Sequence, residues 1–147
     1  MKKKVDYSLN VYRGFGRKSR IIINQCEAIL LTEDVYDYIL RNPLVVGIDP
    51  LEYVLVRSGT LDFKVTCIPH STKFFYIELK SYRQFLTDRQ NNFFKIASKL
   101  NIPCEKFYET KEQYDYRKMM KFEKIILDSN IFKLYDIAEA VCEMIQK

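Results

Sequence analysis

Three short β-like runs, separated only by turn-forming residues within positions 52–79, constrain this chain more than any other feature. EYVLVR (52–57) leads into Ser58 and Gly59, DFKVTCI (62–68) leads into Pro69, His70, Ser71 and Thr72, and KFFYIEL (73–79) completes the set. Separations this short favour hairpins, so the expectation is an antiparallel meander. His70 reads as a polar loop residue in the second turn. A helix opens at Thr87, where Thr87-Asp88-Arg89-Gln90 has the spacing of a capping box and Phe93, Phe94, Ala97 and Leu100 give an apolar stripe. After Asn101-Ile102-Pro103, CEKFYE (104–109) reads as a further short strand beside the sheet. Ahead of the meander, Ala28, Leu31, Val35, Tyr38 and Ile39 recur at helical spacing over 24–41 and Asn42-Pro43 ends the pattern. Thr32, followed by Glu33 and Asp34, offers an alternative cap for a shorter helix. The connector 43–50 holds an apolar LVV that is either a strand or a plug for the core.

The second and third runs bring chemistry together. Side chains alternate faces along a strand, so Asp62 and Lys64 share one face, as do Tyr76, Glu78 and Lys80 on the partner. A three-residue turn pairing Ile68 with Thr72 sets Asp62 opposite Glu78, and a five-residue turn after Ile68 sets it opposite Lys80. A four-residue turn breaks the arrangement unless a bulge restores it. Two carboxylates facing each other are unfavourable alone. A divalent cation between them reverses the sign, and Mg²⁺ (or Mn²⁺) is typically held by one or two carboxylates plus waters and substrate phosphate. Lys80, one strand step beyond Glu78, then suits charge developing on a phosphate. The competing reading is a solvent-facing salt-bridge cluster, which is common and weak.

The segment GTLDFKVTCIPHSTKFFYIELKSYRQFLTDRQNNFFKIA resembles the core of the PD-(D/E)xK nuclease superfamily, especially archaeal Holliday-junction resolvases and virus-type replication-repair nucleases. In those families an Asp begins one strand, an apolar strand ends in ExK, and a helix follows with a Gln near its start. Asp62, Glu78, Lys80 and Gln90 stand in that order here, with VRSG just ahead of Asp62; Leu61 stands where the motif has Pro. The resemblance covers about 24–109. It implies an α/β fold with a restriction-endonuclease-like core (α-β-β-β-α-β, a mixed sheet flanked by helices). It also implies metal-dependent hydrolysis of DNA phosphodiester bonds, on branched or replication and repair DNA, with Mg²⁺ or Mn²⁺ held by Asp62, Glu78 and the Leu79 carbonyl. Lys80 would assist the nucleophile, and Gln90 would join the site. The family usually adds an acid on the first helix, where Glu27 is preferred and Glu33 is the rival. Resolvases of this kind act as dimers, so a homodimer is expected.

Charge is segregated along the chain. Residues 1–20 carry a balance of +6, which leaves −1 of the total +5 for the rest. Lys80, Arg83, Arg89, Lys95 and Lys99 form a second basic stretch against Asp88 alone, whereas 21–61 is acidic. This pattern suits a polyanion partner, with Arg13, Arg17, Lys18, Arg20, Arg83 and Arg89 as the DNA-binding candidates and a solvated basic tail as the bland alternative. The arm 1–20 is either flexible or a short edge strand.

At 147 residues, 48% of them hydrophobic and 29% charged, the expectation is one folded domain over 1–147. It divides into the basic arm 1–20, the core 24–109 and C-terminal helices over 110–147, the latter at about 112–127 and 132–146. Ile137, Val141 and Ile145 share one face of the second. No run approaches the roughly 18 apolar residues of a membrane helix, and no signal-peptide pattern follows Lys2, Lys3 and Lys4. A cytoplasmic, intracellular location with no membrane partner is expected. High Lys, Ile and Tyr content with only 4 Gly suggests an AT-rich genome, as of a virus (and so a virus-infected host) or a mobile element. Cys26, Cys67 and Cys142 sit in apolar-periodic segments and read as buried thiols. With Cys104 distant from them and one histidine in the chain, a structural zinc site is not expected. Two rivals stand beside the nuclease: a non-catalytic DNA-binding protein on a degenerate nuclease core, and an interaction protein that dimerises through its C-terminal helices.

Overall fold

Asn24 closes a short strand, β1 (Arg20–Asn24), and caps the helix that follows it in the computed structural model. The structure describes residues 20–45, 47, 49, 53–67, 73–120, 124–128 and 132–146. The Asn24 side chain accepts from the Glu27 amide at 2.8 Å while the Glu27 carboxylate accepts from the Asn24 amide at 3.2 Å, a reciprocal capping box. The helix continues through α1 (Gln25–Leu30), a π turn (Leu31–Val35) and α2 (Tyr36–Arg41), so it begins at Asn24 rather than at Thr32. Thr32 turns its hydroxyl back onto the carbonyls of Ala28 and Ile29, and the Tyr36 amide reaches the Leu31 carbonyl five residues earlier. The widened turn lets the adjacent Leu30 and Leu31 both enter the core. After Asn42, the connector forms a short 3₁₀ turn (Pro43–Val45).

The meander forms as its alternation demands. β2 (Tyr53–Arg57) pairs antiparallel with β3 (Phe63–Cys67), and β3 pairs antiparallel with β4 (Phe74–Lys80). The β3–β4 register runs from Phe63↔Ile77 to Thr66↔Phe74. That is the register of the three-residue turn; the turn itself lies outside the described residues. β4 then leads through α3 (Asp88–Lys99) to β5 (Cys104–Tyr108), which lies parallel to β4. Parallel neighbours require such a crossover. Thr87 caps α3 with Gln90 as its capping-box partner, as the spacing predicts. Of the expected α3 stripe, Ala97 is buried and Phe93 and Phe94 are partly buried, but Leu100 ends exposed beyond the helix.

The C-terminal third differs from the expected pair of helices. Helix α4 (Lys111–Lys118), capped by Thr110 and Gln113, stops at Met119, and the chain re-enters as strand β6 (Lys124–Asp128), antiparallel to β1. The physical reason is tertiary: KIILD is apolar at three consecutive positions, and its pairing partner lies about a hundred residues earlier, out of reach of local periodicity. Strand β7 (Phe132–Lys133) then joins β2, and α5 (Leu134–Gln146) follows. The larger sheet has the order β5-β4-β3-β2-β7, and β1 with β6 forms a separate ribbon.

One core joins these parts. Leu30, Leu31, Val35 and Ile39 from the first helix and Leu134, Ile137 and Val141 from α5 pack with Tyr53, Leu55, Phe63, Val65, Phe75 and Ile77 from one sheet face. Helix α3 covers the other face, where Phe93 meets Tyr76 edge-on at 5.0 Å. Cys26 and Cys67 are buried as expected, but Cys142 is exposed because the inward stripe of α5 is Leu134, Ile137 and Val141. The architecture is α/β with a mixed sheet flanked by helices. Among the described residues no helix is long and apolar enough to cross a membrane.

Candidate functional site

At the start of β3 the ladder changes character. The Ser58 amide donates to the Asp62 carbonyl at 3.1 Å, closing the loop between β2 and β3 just before Asp62 would join the strand. The Asp62 amide donates to Oε1 of Glu78 at 2.9 Å, and the Leu79 amide donates to Oδ2 of Asp62 at 2.7 Å. Two side-chain carboxylates thus replace two carbonyls in an antiparallel exchange. This brings Asp62 and Glu78 together at the position that register alone makes opposite.

Two further predicted residues meet Glu78. Lys80 Nζ lies 3.5 Å from Glu78 Oε2, with its side chain only 12% exposed. Gln90 Nε2 donates to the same oxygen at 2.9 Å while its Oε1 accepts from the Thr87 amide at 3.0 Å. One amide therefore caps α3 and orients the carboxylate. A side-chain amide has an acceptor and donors to serve both.

Glu27 reaches the same neighbourhood from α1, but its carboxylate is engaged. Arg57 Nη1 and Nη2 each donate to one of its oxygens at 2.8 Å, and Arg57 also donates to the Ile22 carbonyl. The guanidinium lies 4.4 Å from the Phe63 ring centroid. Glu33, the rival acid, is instead exposed and accepts from Gln113 of α4 at 3.0 Å. The sequence shows Arg57 within VRSG, in an acidic stretch; its capture by Glu27, thirty residues away, depends on the tertiary fold.

Electrostatics set the character of the site. Burial, with Glu78 only 2% exposed, pushes the Glu78 carboxyl above the ordinary range, and the neighbouring Asp62 adds to the shift against the Asp62 amide and Lys80. Asp62 is likewise raised, first by burial and then by Glu27, while the Leu79 amide, Arg57 and Lys80 oppose the shift. Burial disfavours charge on Arg57, but its bonds to Glu27 outweigh that and raise it. Two raised carboxyls in hydrogen-bonded proximity form a donor set that a hard divalent cation fits. Among the described residues no three His, Cys, Asp or Glu side chains converge as a metal-binding group. A protein share of two carboxylates still suits Mg²⁺, which keeps several waters.

A second buried ion pair supports the strand end. Glu109 donates its amide to the Lys80 carbonyl at 2.8 Å and accepts from the Tyr82 amide at 3.0 Å, and its carboxylate pairs with Arg117. Cys26 lies against Ser81 in this group, and burial pushes its thiol up to about 11. Nothing in the local pattern of CEKFYE marks Glu109 for this role, because its partners Lys80, Tyr82 and Arg117 all lie outside that segment.

The basic candidates divide. Arg83 and Arg89 are exposed, on the loop after β4 and on the first turn of α3. Arg20 opens β1, where its backbone pairs opposite Asp128. Arg13, Arg17 and Lys18 lie outside the described residues. No family model, curated protein or solved structure gives a significant match to the chain.

Proposed function

We propose that this protein is a divalent-cation-dependent nuclease that hydrolyses DNA phosphodiester bonds. The observation that carries this reading is the clasp of Asp62 and Glu78, two raised carboxyls held by each other's strands with Lys80 and Gln90 on Glu78. Asp62, Glu78 and the Leu79 carbonyl would hold Mg²⁺ or Mn²⁺. Bound there, such an ion supplies charge neutralisation at a phosphate and activation of water. Gln90 keeps the Glu78 carboxylate in one orientation. Lys80 presents an ammonium beside it, suited to orient the attacking water or to offset charge gathering on the attacked phosphate. Arg83 and Arg89 offer cations to neighbouring phosphates, so affinity should fall steeply with salt.

The deciding experiment is cleavage of labelled single-stranded, duplex, flap and junction DNA with Mg²⁺ or Mn²⁺, comparing the parent with Asp62→Ala and Glu78→Ala. Cleavage by the parent and its loss in both variants is the expected result. Equal cleavage by all three proteins would remove the site. A second reading, DNA binding on a nuclease-like core without catalysis, is favoured by one observation: both oxygens of Glu27 are committed to Arg57, which removes a third acid. It expects DNA affinity with no cleavage under either ion.

A further inference from the structure

Lys80 and Gln90, on either side of the nine residues 81–89, both touch Glu78, and 81–87 of that stretch is the loop before α3. Ten residue steps extend at most about 36 Å, so no backbone point between them lies much more than about 18 Å from its anchors. The loop is built from planar and cationic groups. Ser81 and Gln84 close a turn by a backbone bond of 3.0 Å and a second bond from the Ser81 amide to the Gln84 side chain at 3.3 Å. Arg83, inside that turn, sits at φ 69°, in the left-handed region that a β-carbon disfavours. A glycine there would relieve the backbone, yet the position carries a guanidinium 5.1 Å from the Tyr82 ring centroid. Phe85, next after the turn, is 83% exposed.

Helix α4 extends the same pattern. Tyr114 stacks against Tyr82 at 5.4 Å with the rings tilted by 38°, and Lys118 Nζ lies 4.9 Å from the Tyr114 ring centroid. The acids of this region are largely committed: Glu109 pairs with Arg117 and Asp115 with Lys111, leaving Asp88 and Glu112. Among the described residues no carboxylate forms an ion pair with Arg83, Arg89 or Lys118. Cations bracket a pair of rings, Arg83 against Tyr82 and Lys118 against Tyr114, and the exposed phenyl ring of Phe85 stands two residues beyond Arg83.

We infer that the 81–87 loop, with Phe85 and Arg83 as its planar groups and Arg89 and Lys118 as flanking cations, is a stacking platform for unpaired bases of a DNA strand entering the site. This deepens the nuclease reading and rests on it for the identity of the site. A positive groove alone would hold any DNA through phosphates. Rings and guanidinium planes instead hold bases whose faces are open, as in single strands and not inside a duplex stack. The substrate class is therefore DNA with a single-stranded segment within a few nucleotides of the scissile phosphate.

The test is fluorescence anisotropy on the full chain in EDTA, where binding is read without cleavage. Probes are a labelled single strand, a blunt duplex of equal length, and that duplex with a single-stranded flap. The parent should bind the single strand and the flap about tenfold more tightly than the blunt duplex. Phe85→Ala should weaken the single strand and flap by about tenfold and leave the duplex unchanged, as loss of one stacked base requires. Phe85→Leu, which keeps apolar bulk without a ring, should behave like Phe85→Ala. Arg83→Lys, which keeps charge without the plane, should lose part of the single-strand preference. Equal affinity for single strand and duplex, no DNA binding, or an unchanged single-strand affinity in Phe85→Ala would each overturn the platform. Failure of the nuclease reading shows separately, as absence of Asp62-dependent cleavage with Mg²⁺ or Mn²⁺ while the preference in EDTA persists.

Discussion

The backbone amide of Asp62 donates to the carboxylate of Glu78, and the amide next to Glu78 donates back to the carboxylate of Asp62. This reciprocal exchange holds two like charges together without a cation, at an electrostatic cost. Burial leaves both carboxyls raised, with Asp62 adding to the shift of Glu78 and Glu27 to that of Asp62. A carboxyl raised in the folded state stabilises the fold while protonated, fully below its unfolded value near 4, and that stability is lost as pH climbs through the folded value. At pH 7 the pair is therefore a net cost. Asp62→Asn should raise thermal stability in EDTA at pH 7 by on the order of 1 kcal/mol, a few degrees in Tm. Glu78→Gln should raise it less, because one amide oxygen cannot accept from Asp62, Gln90 and Lys80 together. Both should abolish cleavage. The gain should shrink toward pH 3. Mg²⁺ should raise Tm in the parent and not in the variants.

Gln90 joins two tasks that substitution can separate. Thr87→Ala removes the cap hydroxyl and should cost about 1 kcal/mol. Gln90→Ala should cost a similar amount, yet also release Glu78 Oε2. Thermal melts of the two should agree within about 0.5 kcal/mol, with cleavage falling at least about tenfold further in Gln90→Ala. Equal cleavage in the two variants would confine Gln90 to capping.

Glu27 and Arg57 form a coupled pair. Glu27 is 8% exposed, so Arg57→Ala leaves a carboxylate with little water to turn to. Because the arginine is 43% exposed on its side chain, the cost should fall to about 1–3 kcal/mol, below that of a fully buried pair. A double-mutant cycle with Glu27→Gln should show coupling of about 1 kcal/mol by denaturant unfolding, and additive losses would contradict the pairing.

The ribbon of β1 and β6 predicts a contrast between neighbours. Ile23 pairs with Ile125, both buried, while Ile22 pairs with Ile126, 41% and 51% exposed. Ile125→Ala should cost about 2–4 kcal/mol, and Ile126→Ala less than about 1 kcal/mol. A helix over 112–127 would not produce this alternation.

Much of the site is legible before folding is considered. Glu78 and Lys80 share a face because a strand repeats every two residues, and Gln90 is marked by its distance from Thr87. Asp62 depends on a register that the sequence leaves open between turn lengths. The observed pairing Phe63↔Ile77 settles it through burial: Phe63, Val65, Phe75 and Ile77 must all face the core, and a one-residue slip would turn one strand's set to the opposite face.

By itself the sequence determined the local elements: the helix over 24–41, the capped helix at Thr87, the three strands, and the parity that allows two carboxylates and a lysine to converge. Each follows from interactions within a few residues, such as caps, alternation and turn residues. Only the tertiary structure decided that 124–128 is a strand beside 20–24, that Glu27 spends its carboxylate on Arg57, and that Glu109 reaches Tyr82 and Arg117. Those choices rest on partners up to about a hundred residues apart, which meet only once the core has brought their elements together. The central site stands between the two cases: residue spacing makes the clasp of Asp62 and Glu78 possible, and core burial selects the register in which it forms.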